Sequence, residues 1–326
     1  MTAAVVSAST SRWRGLARTN VAVLLFLLLY AAIAIQQPSY LEPAGLLNFL
    51  RRAAPLAILA CGQLFVLVAG GFDLSMGALV TLTVLGGSML IGGDPAQTWW
   101  AIGVLFAIGL AAGLVNGAIV GVLRVPSIIA TLGMLLMLKG VALVWSGGSP
   151  RGYLPDNFRM FGRLVFRDVP LVGTLPLAVI VLAAFVAVVA WLQHGSVFGK
   201  RVLAVGDNAV AAQLAGVPVR LTRLAAFAIS SIAAVTGGIM LGGFAGVSLD
   251  VGEGMEMQAI SACVIGGTQL LGGRGSVAGA AAGALSLYAL FTLLNLLGMP
   301  QPLRETAQGL ILISAVAAGT LRRRLE

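Results

Sequence analysis

The side chains able to do covalent or metal chemistry are few in this chain, and they do not converge. The single histidine, His194, closes an apolar run beside Gly195, as expected of a membrane-boundary residue. Cys61 and Cys263 each lie inside an apolar run, which suits small core residues and gives no CxxC metal pair. There is no H-E-x-x-H, no G-x-S-x-G and no carboxylate pair embedded in an apolar run. The stretch "HGSVFGKR", residues 194–201, approaches a phosphate loop, which cradles phosphates on backbone N–H groups. It places His194 where the first Gly is needed and Arg201 where Ser or Thr must stand. No catalytic residue, metal site or bound cofactor is expected in this chain, and ATP hydrolysis by the chain itself is excluded.

A second group of polar residues sits within apolar runs. Lys139 is the one clear charge among them, about 20 Å along its helix from Pro126 at ~1.5 Å per residue. It either snorkels or pairs with a neighbour, or it lines a polar path. Asn116, Gln63 and Asn295 are single amides, each either glue between helices or a pathway group. Asn116, Lys139 and Asn295 are the candidates for pathway lining.

These residues need elements to hold them, and the composition says which kind. Of 326 residues 59% are hydrophobic and only 10% charged, with mean hydropathy +1.01; soluble domains carry about a quarter charged residues. Ten apolar runs, roughly 21–37, 53–69, 73–91, 99–123, 126–147, 174–193, 223–242, 257–271, 276–298 and 304–321, predict an all-α polytopic membrane protein. Forty-three glycines fit close helix packing in a bilayer. Arg12, Arg14 and Arg18 precede the first run, which reads as an uncleaved span rather than a signal peptide. With the N-terminus cytoplasmic, twelve Lys and Arg fall inside and seven outside, favouring N-in and C-in. The net charge of +9 comes from these loop clusters; no basic helix is interleaved with aromatics, so nucleic acid is not expected as a partner.

The expected layout is a cytoplasmic tail (1–20), one transmembrane domain (21–321) and a short cytoplasmic tail (322–326). Within it, the outer loop 148–173 carries four arginines and three prolines, and is either an ordinary ordered loop or a docking surface. Asp73 in "GGFDLSMG" is a candidate N-cap for the third span, and Pro126 suits the first turn of the fifth. "GGTQLLGGRG", residues 266–275, reads as a tight turn that loosely echoes the Asp73 segment, a weak sign of internal duplication.

The largest cytoplasmic loop, 194–222, contains "GDNAVAAQLAGVP". Asp207 and Asn208 are good N-cap residues, Ala209 to Ala215 favour helix, Gly216 suits the C′ position and Pro218 stops propagation. So short a helix is marginal alone and needs a surface to pack on. Val210 and Leu214 share one face, aimed either at the membrane boundary or at another protein.

"GGFDLSMGALV", "GVLRVPSIIATLGMLLMLKG", "FGKRVLAVGDNAVAAQLAGV" and "AISACVIGGTQLLGGRGSVAGAAAGAL" together resemble the motifs of ribose-type sugar ABC-transporter permeases, in order, over about residues 20–321. The resemblance implies a type II-like importer permease of the bacterial inner membrane, without enzymatic activity. It implies that residues 207–217 form the coupling helix, with Asp207, Asn208, Val210, Ala211, Leu214 and Gly216 meeting a cytoplasmic ATPase that binds ATP and Mg. The other partners implied are a periplasmic sugar-binding protein and a second permease subunit, identical or paralogous. The motif residues carried over are Gly70, Gly71, Asp73, Ser75 and Gly77 in the first half and Gly266, Gly267, Gly272, Gly273 and Gly275 in the second. Relatives commonly have Gly at Asp207, Arg at Lys139 and Asp at Gln258; these departures leave the family pattern intact. Branched-chain amino acids, nucleosides or a signalling sugar are alternative solutes. A secondary carrier or channel is the rival class, disfavoured by the lack of buried acidic relays.

Overall fold

The computed structural model describes residues 21–170, 172–310 and 313. It is built from helices α1 (Val21–Gln36), α2 (Pro43–Val68), α3 (Met76–Ile91), α4 (Thr98–Gly121) and α5 (Ser127–Ser146) in the first half. A short helix α6 (Asp156–Arg163) and a hairpin of β1 (Val165–Val169) and β2 (Gly173–Pro176) follow. Then come α7 (Leu177–His194), α8 (Val197–Asp207), α9 (Ala209–Leu214), α10 (Val219–Ala245), α11 (Met255–Ile265) and α12 (Val277–Leu296). Positions 301–310 are helical again. The predicted last span, 304–321, and both predicted tails lie largely or wholly outside the described residues.

Among the described residues six helices are long and apolar enough to cross a membrane, and three more are apolar but shorter. The centre is α2, in which every residue from Ala53 to Val68 is buried, together with α3 and α10. Burial all round fits the mixed apolar sequence of α2, which presents no polar stripe. The outer helices instead expose large apolar side chains, such as Leu136 and Val144 on α5 and Val188 and Trp191 on α7.

Small residues let these helices touch. Gly109, Gly113 and Gly117 recur every four residues on the face of α4 that meets α10. A Cβ on Gly113 would collide with the Ser231 hydroxyl, and one on Gly117 would come within 2.6 Å of Leu224 Cα. Such a small-xxx-small stripe lets van der Waals contact replace the missing hydrophobic drive between helices in lipid.

Three sequence expectations need correction. The chain is not wholly helical: β1, in the loop predicted at 148–173, pairs antiparallel with β2, which takes up the start of the span predicted at 174–193, and "VFRDV" supplies β-branched and aromatic residues ahead of a turn. Asp168 at the register shift has φ +59°, a conformation Asp tolerates better than most residues. The run 257–271 is not one helix, because α11 ends at Ile265 and Gly266 and Gly267 begin a turn; its 11 residues rise only about 16 Å. Asp73 does not cap α3; that position belongs to Ser75, and residues 71–75 are irregular backbone inside the bundle. Irregular backbone at such depth requires polar partners within the protein.

Asp73 supplies them. One of its carboxylate oxygens accepts from the Ser75 backbone N–H at 3.0 Å and from the Ser75 hydroxyl at 2.6 Å. The other accepts from the Ser230 hydroxyl of α10 at 2.6 Å, while Asn116 on α4 donates to Ser75 Oγ at 3.0 Å. A carboxylate thus ties the α2–α3 break to α4 and α10. The α4 stripe gives the stability prediction for the fold: Gly113→Val should force α4 off α10. The detergent-solubilised variant should lose most of its monodisperse yield or unfold several degrees lower, as followed by size exclusion and thermal unfolding, whereas Gly103→Ala, with open space at its Cβ, should not.

Candidate functional site

The candidates of the 207–217 segment lie at the end of the bundle where α2 stops and α10 begins. Asn208 Oδ1 accepts from the N–H groups of Val210 and Ala211, both at 3.0 Å, which makes it the N-cap of α9. Asp207 is instead the last residue of α8, a helix within the loop expected at 194–222. Its start carries a signal nonetheless, since Ser196 Oγ accepts from Gly199 N–H at 3.3 Å. At the other end of α9, Gly216 has φ +79°, Val217 N–H donates to Ala212 O at 2.9 Å and Gly216 N–H to Gln213 O at 3.0 Å. This paired closure is the Schellman arrangement, and only a glycine-like residue enters it without strain. Six residues of helix are therefore pinned at both ends.

The face they present is apolar and open. Val210 is 70% and Leu214 86% exposed, Ala211 is exposed beside them, and Ala212 is the buried residue on the inner side. Next to α9 lies a cavity of about 650 Å³ lined by Gly70, Arg124, Ser127, Val210, Gln213 and Arg220, among others. The surface beside α9 is thus basic and apolar-edged, with Arg124, Arg220 and Arg223 on its lining; no group of His, Cys, Asp and Glu able to hold a metal occurs among the described residues.

Behind that surface three glycine-rich segments meet. Gly206 of α8 lies against the Val68 carbonyl at the end of α2 and the Gly273 nitrogen, leaving no room for a Cβ. Gly273 N–H donates to Val68 O at 2.9 Å, and a Cβ on Gly272 would stand 2.9 Å from Gly206 O and 3.0 Å from Gly70 Cα. The 266–275 turn is also held by α7: Gln193 Nε2 donates to Gly275 O, and Gln193 Oε1 accepts from Val277 N–H, both at 2.8 Å. The structure thus joins the two echoed motifs, through Gly70, Gly272 and Gly273, to the helix preceding α9. Neither Gly206 nor Gln193 was singled out from sequence. A Gly two residues before the N-cap Asn208 was the available signal for the first; nothing in the pattern marked the second.

The other motif residues take different places. Gly71 packs near Ser127 of α5, and Phe72 N–H donates to Ser127 Oγ at 3.0 Å. Gly77 sits against Glu256 and the Gly252 carbonyl. Gly266 abuts the Gly279 carbonyl, and Gly267 N–H donates to Val264 O at 2.9 Å.

The three pathway candidates are not brought together. Asn116 is buried and bonded to Ser75, Asn295 opens into a separate cavity near the far end of α12, and Lys139 pairs with Glu253 at 3.0 Å. Gln63 is fully buried in α2, with neither amide atom bonded to a described residue.

The arrangement is a bundle of helices long and apolar enough to cross a membrane, with one short helix, capped at both ends, exposed at the end of the bundle. Residues 45–316 match the family described as "Branched-chain amino acid transport system / permease component", and the chain belongs to it. It is 36% identical over 299 residues to the autoinducer 2 import system permease protein LsrC of Klebsiella pneumoniae, covering 91% of this chain and 85% of that one. To the ribose import permease protein RbsC of Bacillus subtilis it is 35% identical over 295 residues, covering 89% and 88%. The LsrC permease of Shigella flexneri is 33% identical over 311 residues, covering 95% and 89%. No solved structure matches. The resemblance drawn from the four sequence motifs is borne out, and the chain is a non-catalytic permease component.

The capping geometry gives a local prediction. Asn208→Ala removes the acceptor of two N–H groups and should cost about 1 kcal/mol. Hydrogen exchange at residues 210–214 should speed up roughly fivefold, while Asn208→Asp keeps the wild-type rate.

Proposed function

We propose that this chain is the membrane-spanning subunit of an ATP-driven, binding-protein-dependent importer of a small sugar. The observation that carries the reading is α9: a helix too short to be stable alone, closed at both ends, with Val210 and Leu214 turned outward. Such a helix is the coupling helix of the permease, seated in a cytoplasmic ATPase that binds ATP and Mg, and its motion passes into the spans through Gly206. The ribose and autoinducer 2 permeases among the relatives support a sugar as cargo.

The topology that fits is about ten spans of type II-like arrangement with both termini cytoplasmic, in the bacterial inner membrane. A periplasmic sugar-binding protein docks on the opposite end, where α6 and the β1–β2 hairpin form an ordered, arginine-bearing surface. Arg159 Nε there donates to Gly243 O of α10 at 3.4 Å, so the surface is joined to a central helix.

The pathway follows from Lys139 and Glu253. Lys139 is the thirteenth of 20 residues in α5, and its side chain is 42% exposed against 60% for Glu253. Charges at that depth cannot face hydrocarbon without a large cost, so this side of α5 meets a second permease subunit or the water-filled path between two. Sugar passes there with weak binding, which is why few strong sugar ligands occur.

Ala211→Arg combined with Leu214→Arg should leave membrane insertion intact and abolish copurification with the ATPase; retained association and transport would sink the coupling assignment. The family description favours one second reading, a branched-chain amino acid as solute. Stimulation of ATP hydrolysis in the reconstituted complex by leucine-like solutes, and by no monosaccharide, would establish it.

A further inference from the structure

A cavity of about 700 Å³ opens at the end of the bundle opposite α9, between the start of α2 and the end of α12. Arg51, Arg52 and Arg304 line it, with Asn48 and Asn295 as further amide donors. Glu42 is the one carboxylate on the lining among the described residues, so three guanidiniums against one carboxylate leave a net charge of +2 there. Among the described residues no ion pair reaches any of the three arginines. The Nε groups of Arg51 and Arg304 are buried and have no hydrogen-bond partner among the described residues. Guanidinium stays charged at any relevant pH and offers its N–H groups in a planar fork. A buried, unpartnered N–H of this kind costs folding free energy unless an acceptor is supplied.

The depth of the cavity says which acceptor. From Arg51 to Val68 at the far end of α2 is 17 residues, a rise of about 26 Å. From Val277 to Asn295 on α12 is 18 residues, about 27 Å. Both helices therefore place these side chains one hydrocarbon thickness, ~30 Å, from the opposite boundary, at headgroup level. Tyr40, Phe49 and Tyr288 line the cavity, Phe49 packs on Tyr288, and Tyr30 packs behind them on Tyr40 and Phe49; amphipathic aromatic rings of this kind mark a membrane–water interface. Beside it α1 exposes Leu24, Leu27 and Leu28 as a track for acyl chains.

We propose that this cavity is a phosphate-binding site filled by the headgroup of an anionic phospholipid. Arg51 and Arg304 grip the phosphate oxygens from two sides, Arg52 contributes charge and the acyl chains run down α1. The assignment rests on the chain being a membrane protein and is independent of the transported solute.

The test uses the full-length protein in nanodiscs and native mass spectrometry, with phosphatidylglycerol, phosphatidylcholine and inorganic phosphate as separate probes. Wild type should retain phosphatidylglycerol through delipidation, and millimolar inorganic phosphate should not displace it. Arg304→Gln should lower retention about tenfold, since a charged hydrogen bond is lost, with an unchanged thermal unfolding midpoint in lipid-free detergent. Glu42→Gln removes the opposing charge and should raise retention a few-fold, an effect that misfolding does not mimic. Equal retention of both lipids in all variants overturns the site. Full displacement by inorganic phosphate overturns the lipid as occupant, and protection of Arg51 and Arg304 from arginine reagents only by an acidic protein partner would make the cavity a docking surface instead.

Discussion

The contact on which the rest depends is the absence of a side chain at Gly206. Because hydrogen is all that stands there, the end of α8 reaches the last carbonyl of α2 and the nitrogen of Gly273 at once. Three segments distant in sequence thereby become one rigid corner, closed by the Gly273–Val68 hydrogen bond and by Gln193. α9 hangs from that corner through Asn208. α8 ends at Asp207, directly before Asn208, so α9 follows immediately on the corner that contacts α2, the helix around which the others are packed.

The interior uses a second device for the opposite purpose. The backbone between α2 and α3 is irregular at a depth where water cannot satisfy it, and Asp73 takes over that work by accepting from Ser75 and Ser230. Asn116 extends the knot to α4. Around the knot, the glycine stripe of α4 keeps α10 close enough for Ser230 and Ser231 to pack against neighbouring backbone. Polar specificity and close apolar packing therefore support one another in the same few turns, and the outer helices are left to meet lipid or partner chains.

Much of this was legible in the sequence. Apolar runs located the long helices because a span must satisfy its own backbone within a fixed thickness. The capped α9 was legible from Asn208, Gly216 and Pro218, since end chemistry is local. Where reading failed, the cause was tertiary. Asp73 looked like a cap because Asp before a helix usually is one; its partner Ser230 lies 157 residues away. α11 looked like a full span because hydropathy does not register a turn made from Gly266 and Gly267. Asn116 and Lys139 looked alike as polar residues within spans, yet one is closed inside the chain and the other pairs across an open face. The arginines of the outer cavity were visible only as scattered loop charges, because Arg51, Arg52 and Arg304 converge through folding.

The central claim is that α9 drives the spans through the Gly206 corner. The most direct measurement is a parallel assay of ATP hydrolysis and solute uptake in proteoliposomes containing the assembled importer with Gly206→Ala. The added methyl wedges the corner apart while leaving the exposed face of α9 untouched. The account predicts that the ATPase still copurifies and hydrolyses ATP, while uptake per ATP falls at least tenfold. Wild-type uptake per ATP in a stably assembled Gly206→Ala complex would contradict it.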